Sequence, residues 1–259
     1  MLKSSFLLYW KAFFFSKTLL IFYLLCYVFF LPLYFNVTIL TDKTGIIDVL
    51  YRGTTNRLFV SDLVKFLMLF ILLVLVIQLI HFLSHVLEEK HSLLILMKFK
   101  NKVFFILSIL FFMIITQFLA LLFPVVAILV VWHVKFNYIC PNLIQVVFSI
   151  VMIAAISSSI LLMVSCRLKY NRSNYLLSIL FVFILPIILE SRARFIPFDI
   201  PLVKTISNYS YHLFFSTPFH LTKMTDSLIQ YASWNIHNSL LHIFGITILV
   251  LLCINKKEG

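Results

Sequence analysis

The chain has 259 residues, 63% of them hydrophobic and 12% charged, with four glycines and a formal net charge of +12. So little polar sequence leaves no stretch able to fold as a separate soluble domain. Gly45, Gly53, Gly245 and Gly259 are the only glycines and none precedes a lysine, which excludes a glycine-rich phosphate cradle. The basic excess, which in a soluble chain would suggest nucleic acid, reads here as a matter of membrane topology, and no nucleic-acid partner is expected.

Residues 1–16 place Leu2, Phe6, Tyr9, Trp10 and Phe13 at helical spacing on one face, which predicts a short amino-terminal helix lying on the inner leaflet. An extension of the first spanning helix fits the same residues, because Leu8 and Phe15 interrupt the polar side. Six long apolar runs follow, at Thr18–Asn36, Leu63–Ser84, Val103–Trp132, Leu143–Ser165, Tyr175–Leu189 and Ser239–Ile254. Leu, Ile, Phe and Val each contribute about −0.3 to −0.6 kcal/mol to insertion, and in hydrocarbon a helix satisfies its own backbone. The expected fold is therefore all-α: one polytopic membrane domain, residues 1–259, with six transmembrane helices. No small-residue cleavage site follows the first run, so that run is expected to be retained as a span.

Two runs have unusual lengths. Val103–Trp132 would form a helix of about 45 Å, longer than a hydrocarbon core of roughly 30 Å, so it must tilt, bend near Pro124 or project. Tyr175–Leu189 covers only about 22 Å before Glu190, Arg192 and Arg194. The segment from there to Asn238 is too apolar for a plain loop, with Tyr209, Tyr211, Phe214, Phe215, Phe219, Leu228, Ile229 and Trp234. Short helices after Pro197 and Pro218 that re-enter the outer leaflet between spans five and six account for it. An amphipathic lid on the surface is the alternative.

The charges orient the chain. With a cytoplasmic amino terminus, the inner segments carry Lys3, Lys11, Lys17, Lys90, Lys98, Lys100, Lys102, Arg167, Lys169, Arg172, Lys256 and Lys257. The longer outer segments hold only Lys43, Arg52, Arg57, Lys135, Arg192, Arg194, Lys204 and Lys223. Basic residues concentrate on the cytoplasmic side, so both termini are expected there, in a multi-pass protein of a cell membrane.

No Asp or Glu lies in the middle of a span, Asp62 and Glu190 being at ends, so neither a nucleotide nor a buried acid supplies power within the chain. The inner stretch Val86–Lys102 offers an alternative source. It runs from Glu88, Glu89 and Lys90 through Ser92, Leu93 and Leu96 to Lys98, a hydrophobic anchor with a charged rim suited to docking a soluble partner. A positive stop that only holds the topology is the simpler reading of the same charges.

Six spans with both ends inside, a surface-lying first helix, this acidic-to-leucine-to-basic loop and a long semi-apolar outer segment between spans five and six resemble the type-2 permease subunit of ABC exporters. The resemblance covers the whole chain, although the loop lacks the Gly and Pro common in that family. It implies a dimer of this chain with a second permease copy or a related one, bound to separate cytoplasmic ATP-binding cassette ATPase subunits that hold the ATP; no cofactor is expected on this chain. By the same resemblance Glu88–Lys102 and residues 1–16 contact the ATPase. The small loops are loosely similar to lantibiotic-immunity and phenol-soluble-modulin exporters, which implies amphipathic peptide cargo.

Within the spans, Gln78, Gln117 and Gln145 are candidate pathway-lining residues, although such side chains, with Ser157, Ser158 and Ser159, more often bridge helices. His81 and His85, four apart, with Glu88 and Glu89 one turn on, raise the alternative of a metal-dependent intramembrane hydrolase. A small secondary carrier of two three-span halves is the other alternative. No catalytic or metal-binding residue is assigned.

Overall fold

The computed structural model describes residues 37–41, 47–51, 54–55, 57–87, 102–167, 173–190, 201–229 and 236–254, together with helical Leu24, Val28 and Phe35. The expected interfacial helix at residues 1–16 and most of the first span, the inner loop with Glu88, Glu89, Lys90, Ser92, Leu93, Leu96 and Lys98, and residues 255–259 lie outside the described residues.

A small sheet departs from the all-α expectation. Strands β1 (Val37–Thr41), β2 (Ile47–Tyr51) and β3 (Thr54–Thr55) pair antiparallel in that order, with Ile39 opposite Val49. Val, Ile and Thr are frequent in these strands, and such β-branched side chains suit a pleated backbone. Lys135 Nζ reaches the Val37 carbonyl at 3.5 Å and so ties the sheet to the far end of the helix that carries it.

The rest is helical. α1 is Arg57–Leu87, α2 Lys102–Phe136 and α3 Leu143–Arg167. α4 begins as Ser173–Ile179, passes through a π-helical turn at Leu180–Ile184 and ends as Leu185–Glu190. α5 is Pro201–Phe214, α6 Thr217–Ile229 and α7 Ile236–Ile254. Three helices are long and apolar enough to cross a membrane, at Asp62–Ser84, Val103–Phe136 and Leu143–Cys166, which makes this a membrane protein; Leu176–Leu189 and Ser239–Ile254 are shorter apolar helices. α2 is an unbroken 35 residues that carry Pro124 inside, about 52 Å at 1.5 Å per residue. The stretch read as Tyr175–Leu189 is longer than its apolar run, because polar Ser173, Asn174 and Glu190 join the helix.

Local chemistry sets the α2–α3 corner. Asn137 adopts φ 52°, the left-handed conformation that Asn tolerates better than most residues, and its N–H bonds the His133 carbonyl at 2.8 Å to end α2. Asn142 then starts α3, its Oδ1 accepting from the Gln145 N–H at 3.2 Å.

α3 is the central element. It packs against α1, α2, α4, α6 and α7. Ala154, Ala155, Ser157, Ser158 and Ser159 are all buried along it, and their small side chains let neighbouring backbones approach closely. Its most apolar window is 78% buried, against 39% for α2, whose Phe104, Phe111, Phe123 and Val130 face outward as lipid-facing residues would. The core beneath is formed by Met68, Leu72, Leu75 and Leu79 of α1, Phe112, Met113 and Leu121 of α2, and Val146, Ile150 and Ile153 of α3.

Candidate functional site

α5 and α6 form a helical hairpin that enters the bundle and returns. Pro201 opens α5, where its fixed φ suits a first helical position and its missing N–H costs nothing. Residues 191–200, including Pro197, lie outside the described residues. α5 ends as the Phe215 N–H bonds the Tyr211 carbonyl at 2.9 Å; α6 starts as the His220 N–H bonds the Ser216 carbonyl at 3.1 Å. Pro218 sits in its first turn.

Four contacts fix how far the hairpin reaches. At its far end, the Tyr138 hydroxyl donates to the Leu228 carbonyl and Cys140 Sγ lies 3.4 Å from the Ser227 carbonyl, which anchors α6 beside the α2–α3 corner. Thr217 is eleven residues back, about 17 Å along the helix. There, Phe215 stacks on Phe181 in the π-turn of α4, 6.2 Å between centroids and 12° between planes. On the other side Leu213 meets Gly245, nine residues into α7, or about 14 Å. A Cβ on Gly245 would lie 1.7 Å from the Leu213 carbonyl oxygen, so only glycine permits this approach.

Just above the tip, three histidines meet. His220 Nε2 lies 2.9 Å from His242 Nδ1, and His242 Nε2 lies 3.4 Å from His212 Nδ1. His220 and His242 are buried and His212 is half-buried. Phe219 packs at a steep angle to all three rings, at centroid distances of 5.9 Å to His212, 5.3 Å to His220 and 5.7 Å to His242. Phe148 of α3 covers the far side of His220 at 6.2 Å. His242 spends a different nitrogen on each neighbour, so the three rings form a chain rather than converging on one point. No group of three metal-ligating side chains capable of holding an ion occurs among the described residues.

Several buried hydroxyls lie on the helices around the hairpin. Ser216 and Thr217, one turn before His220 on the same helix, are buried, as are Ser158 on α3, Ser178 on α4 and Thr116 on α2. The hydroxyls of these five and Nδ1 of His220 have no hydrogen-bond partner among the described residues. Buried polar groups are ordinarily paired, so these unpartnered atoms are exceptions within the bundle.

Gln117 is buried where α2 crosses α3, bonded to Ser157. The Ser157 hydroxyl has one proton and also reaches the Ile153 carbonyl at 2.7 Å. Turning the amide lets Gln117 Nε2 donate to Ser157 Oγ while Ser157 donates to Ile153, so the single hydroxyl proton is not needed twice. Gln145 is buried with Nε2 3.3 Å from Ser149 Oγ. Gln78 is half-buried on α1, its Oε1 without a partner among the described residues. The structure thus puts Gln117 and Gln145 in contacts within the helix bundle and does not join the three glutamines into one site. His81 is exposed on α1; the side chain of His85 and residues Glu88 and Glu89 lie outside the described residues. The His212–His242–His220 chain, which the sequence reading passed over, draws its members from three helices and has no linear spacing to reveal it. Four histidines in one stretch of 31 residues, His212, His220, His237 and His242, were the only available signal.

At the α2–α3 corner, burial pushes the Tyr138 phenol well above the usual tyrosine range, with neighbouring Cys140 adding to the shift. The Cys140 thiol is also held up by burial. Both groups are neutral under ordinary conditions.

No protein-family model, curated protein or solved structure matches this chain.

Proposed function

We propose that this chain is the membrane permease subunit of an ATP-driven exporter of the bacterial plasma membrane, with six spans and both termini in the cytoplasm. It moves amphipathic peptides or similar hydrophobic cargo. It works as a dimer with a second permease copy or a related chain, and separate ATP-binding cassette ATPase subunits dock on the inner loop at Glu88–Lys102. The single observation that supports this reading best is the helical hairpin Pro201–Ile229, lodged between α4 and α7 where the resemblance has its long semi-apolar outer segment. By its length of about 17 Å the hairpin would dip halfway into a hydrocarbon core of roughly 30 Å from the outer side. Rocking of the surrounding helices would open the bundle to one side and then the other.

Co-expression with the ATPase encoded nearest the gene tests the reading. The expected result is co-purification that Leu93→Asp or Glu89→Lys abolishes, and vanadate-sensitive peptide transport in proteoliposomes. Concentrative transport by the isolated chain under an imposed proton gradient would overturn it. The histidine chain favours that second reading, a proton-coupled carrier, because ionisable groups buried among spans commonly mark ion pathways.

A further inference from the structure

We infer that the open edge of β1, with Lys135 at its amino end, is a docking site for the carboxyl-terminal segment of an extended peptide, which adds to the sheet as an antiparallel strand and sets its terminal carboxylate beside the lysine ammonium. The inference goes beyond the transport reading and stands without it, because it concerns what the sheet binds and not what drives movement across the membrane.

The sheet runs β1-β2-β3, so β1 has a neighbouring strand on one side only. Val37–Thr41 pairs with β2 over its whole length, from Val37 opposite Tyr51 to Thr41 opposite Ile47. In an antiparallel strand alternate residues turn both N–H and C=O to the same side, so at least two of these five point theirs away from β2. Among the described residues, the Lys135 ammonium, 3.5 Å from the Val37 carbonyl, is the one hydrogen-bonding group from outside the sheet that reaches β1.

Exposed sheet edges are ordinarily protected by lysine, proline, a bulge or brevity. β3, the opposite edge, is two residues long and too short to hold a partner. β1 has none of those devices in its own sequence: Val-Thr-Ile-Leu-Thr is uncharged, lacks proline and pairs without a bulge, and its Val, Ile and Thr side chains favour a pleated backbone. Val37 is buried and the next residue, Thr38, is exposed, so one face of the strand meets the protein and the other does not. A guest strand that continues this surface alternates apolar and polar residues, as an amphipathic peptide does.

Charge selects the occupant and its direction. Antiparallel pairing is the more stable per residue, and it brings the carboxyl end of the guest to Val37, where Lys135 stands. An ammonium has three N–H donors, which lets Lys135 keep the Val37 carbonyl and also take a carboxylate. The stretch from Val37 to Arg57, together with Lys135, holds the basic residues Lys43, Arg52, Arg57 and Lys135 against the acidic Asp42 and Asp48. This basic balance attracts an acid-terminated peptide and repels a second copy of the chain. Two copies in one membrane also share a two-fold axis along the membrane normal, so pairing β1 with β1 would require both sheets to lie flat on the bilayer. A free peptide carries no such restriction.

The test is fluorescence anisotropy with the full chain in detergent and a Val-Thr-Val-Thr-Val peptide, labelled at its amino terminus and either free or amidated at its carboxyl terminus. The free acid is expected to bind saturably and about three- to fivefold more tightly than the amide, and Lys135→Gln is expected to erase that difference. Two further peptides, N-methylated on every valine or on every threonine, read the strand geometry. Because alternate residues bond to the edge, one of them should bind at least about tenfold more weakly while the other binds as the parent does. The comparisons between peptides on wild-type protein decide the matter even if Lys135→Gln does not fold. The inference is overturned if acid and amide bind alike to the wild type, or if the two methylated peptides bind alike. It is equally overturned if Thr38→Cys joins two copies through a disulfide that excess peptide does not prevent, since a second copy then holds the edge.

Discussion

Replacing Gly245 with alanine tests the placement of the hairpin tip, because two opposing effects give it a definite sign. In an unconstrained helix, Gly→Ala stabilises by about 1 kcal/mol through lower chain entropy in the unfolded state. Here the new methyl would stand 1.7 Å from the Leu213 carbonyl oxygen, 2.6 Å from its carbonyl carbon and 3.1 Å from its Cα. All three are backbone atoms, so no side-chain rotation relieves the clash. α5 must draw back from α7 by about 2 Å to restore van der Waals contact. Overpacking of this kind costs about 1–3 kcal/mol, and a rigid backbone neighbour puts it at the upper end. The net expectation is a loss of about 2 kcal/mol, or a melting temperature lower by about 4–8 °C for a chain of this size. Detergent-solubilised protein followed by size exclusion after heating gives the melting point directly. Because His212 directly precedes Leu213, the same displacement should lengthen the His212–His242 contact. An unchanged or raised melting temperature would refute the close approach of α5 to α7, and with it the depth assigned to the hairpin.

Tyr138→Phe removes the hydroxyl that bonds the Leu228 carbonyl and should cost about 1 kcal/mol by thermal melting. Because burial raises the Tyr138 pKa on folding, its stabilising contribution is complete below pH 10 and lost as pH rises further; the wild type should therefore weaken above about pH 10 more steeply than Tyr138→Phe. Lys65 Nζ donates to Thr222 Oγ1 at 2.7 Å across α1 and α6, so Lys65→Met and Thr222→Val should each cost about 1 kcal/mol, with the double variant costing less than their sum. Gln117→Leu removes one interhelical bond to Ser157 and should lower stability by about 1 kcal/mol or less while transport persists; loss of transport at full stability would instead make Gln117 part of the pathway.

The apolar runs were legible because hydropathy along the chain is local information. Leu63–Ser84, Leu143–Ser165 and Ser239–Ile254 each fall within helices that extend only a few residues further. The helical character of 201–229 was legible for the same reason, since apolar residues recurred in a segment nominally between spans. The sheet at Val37–Tyr51 was not anticipated, because hydropathy places such a stretch outside the bilayer without saying whether it pairs. The glutamines were visible as polar residues in apolar runs, but their partners were not: Ser157 is forty residues from Gln117 and belongs to a different helix.

What the sequence alone determined, then, is that this chain lives in a membrane and roughly where its helices begin and end, because the transfer of each side chain out of water is a property of that residue and its neighbours. What only the tertiary structure decided is how far the hairpin reaches, which glycine lets it in, and that His212, His220 and His242 touch. Those facts depend on distances between segments up to 90 residues apart, set by how helices pack, and no short window of sequence contains them.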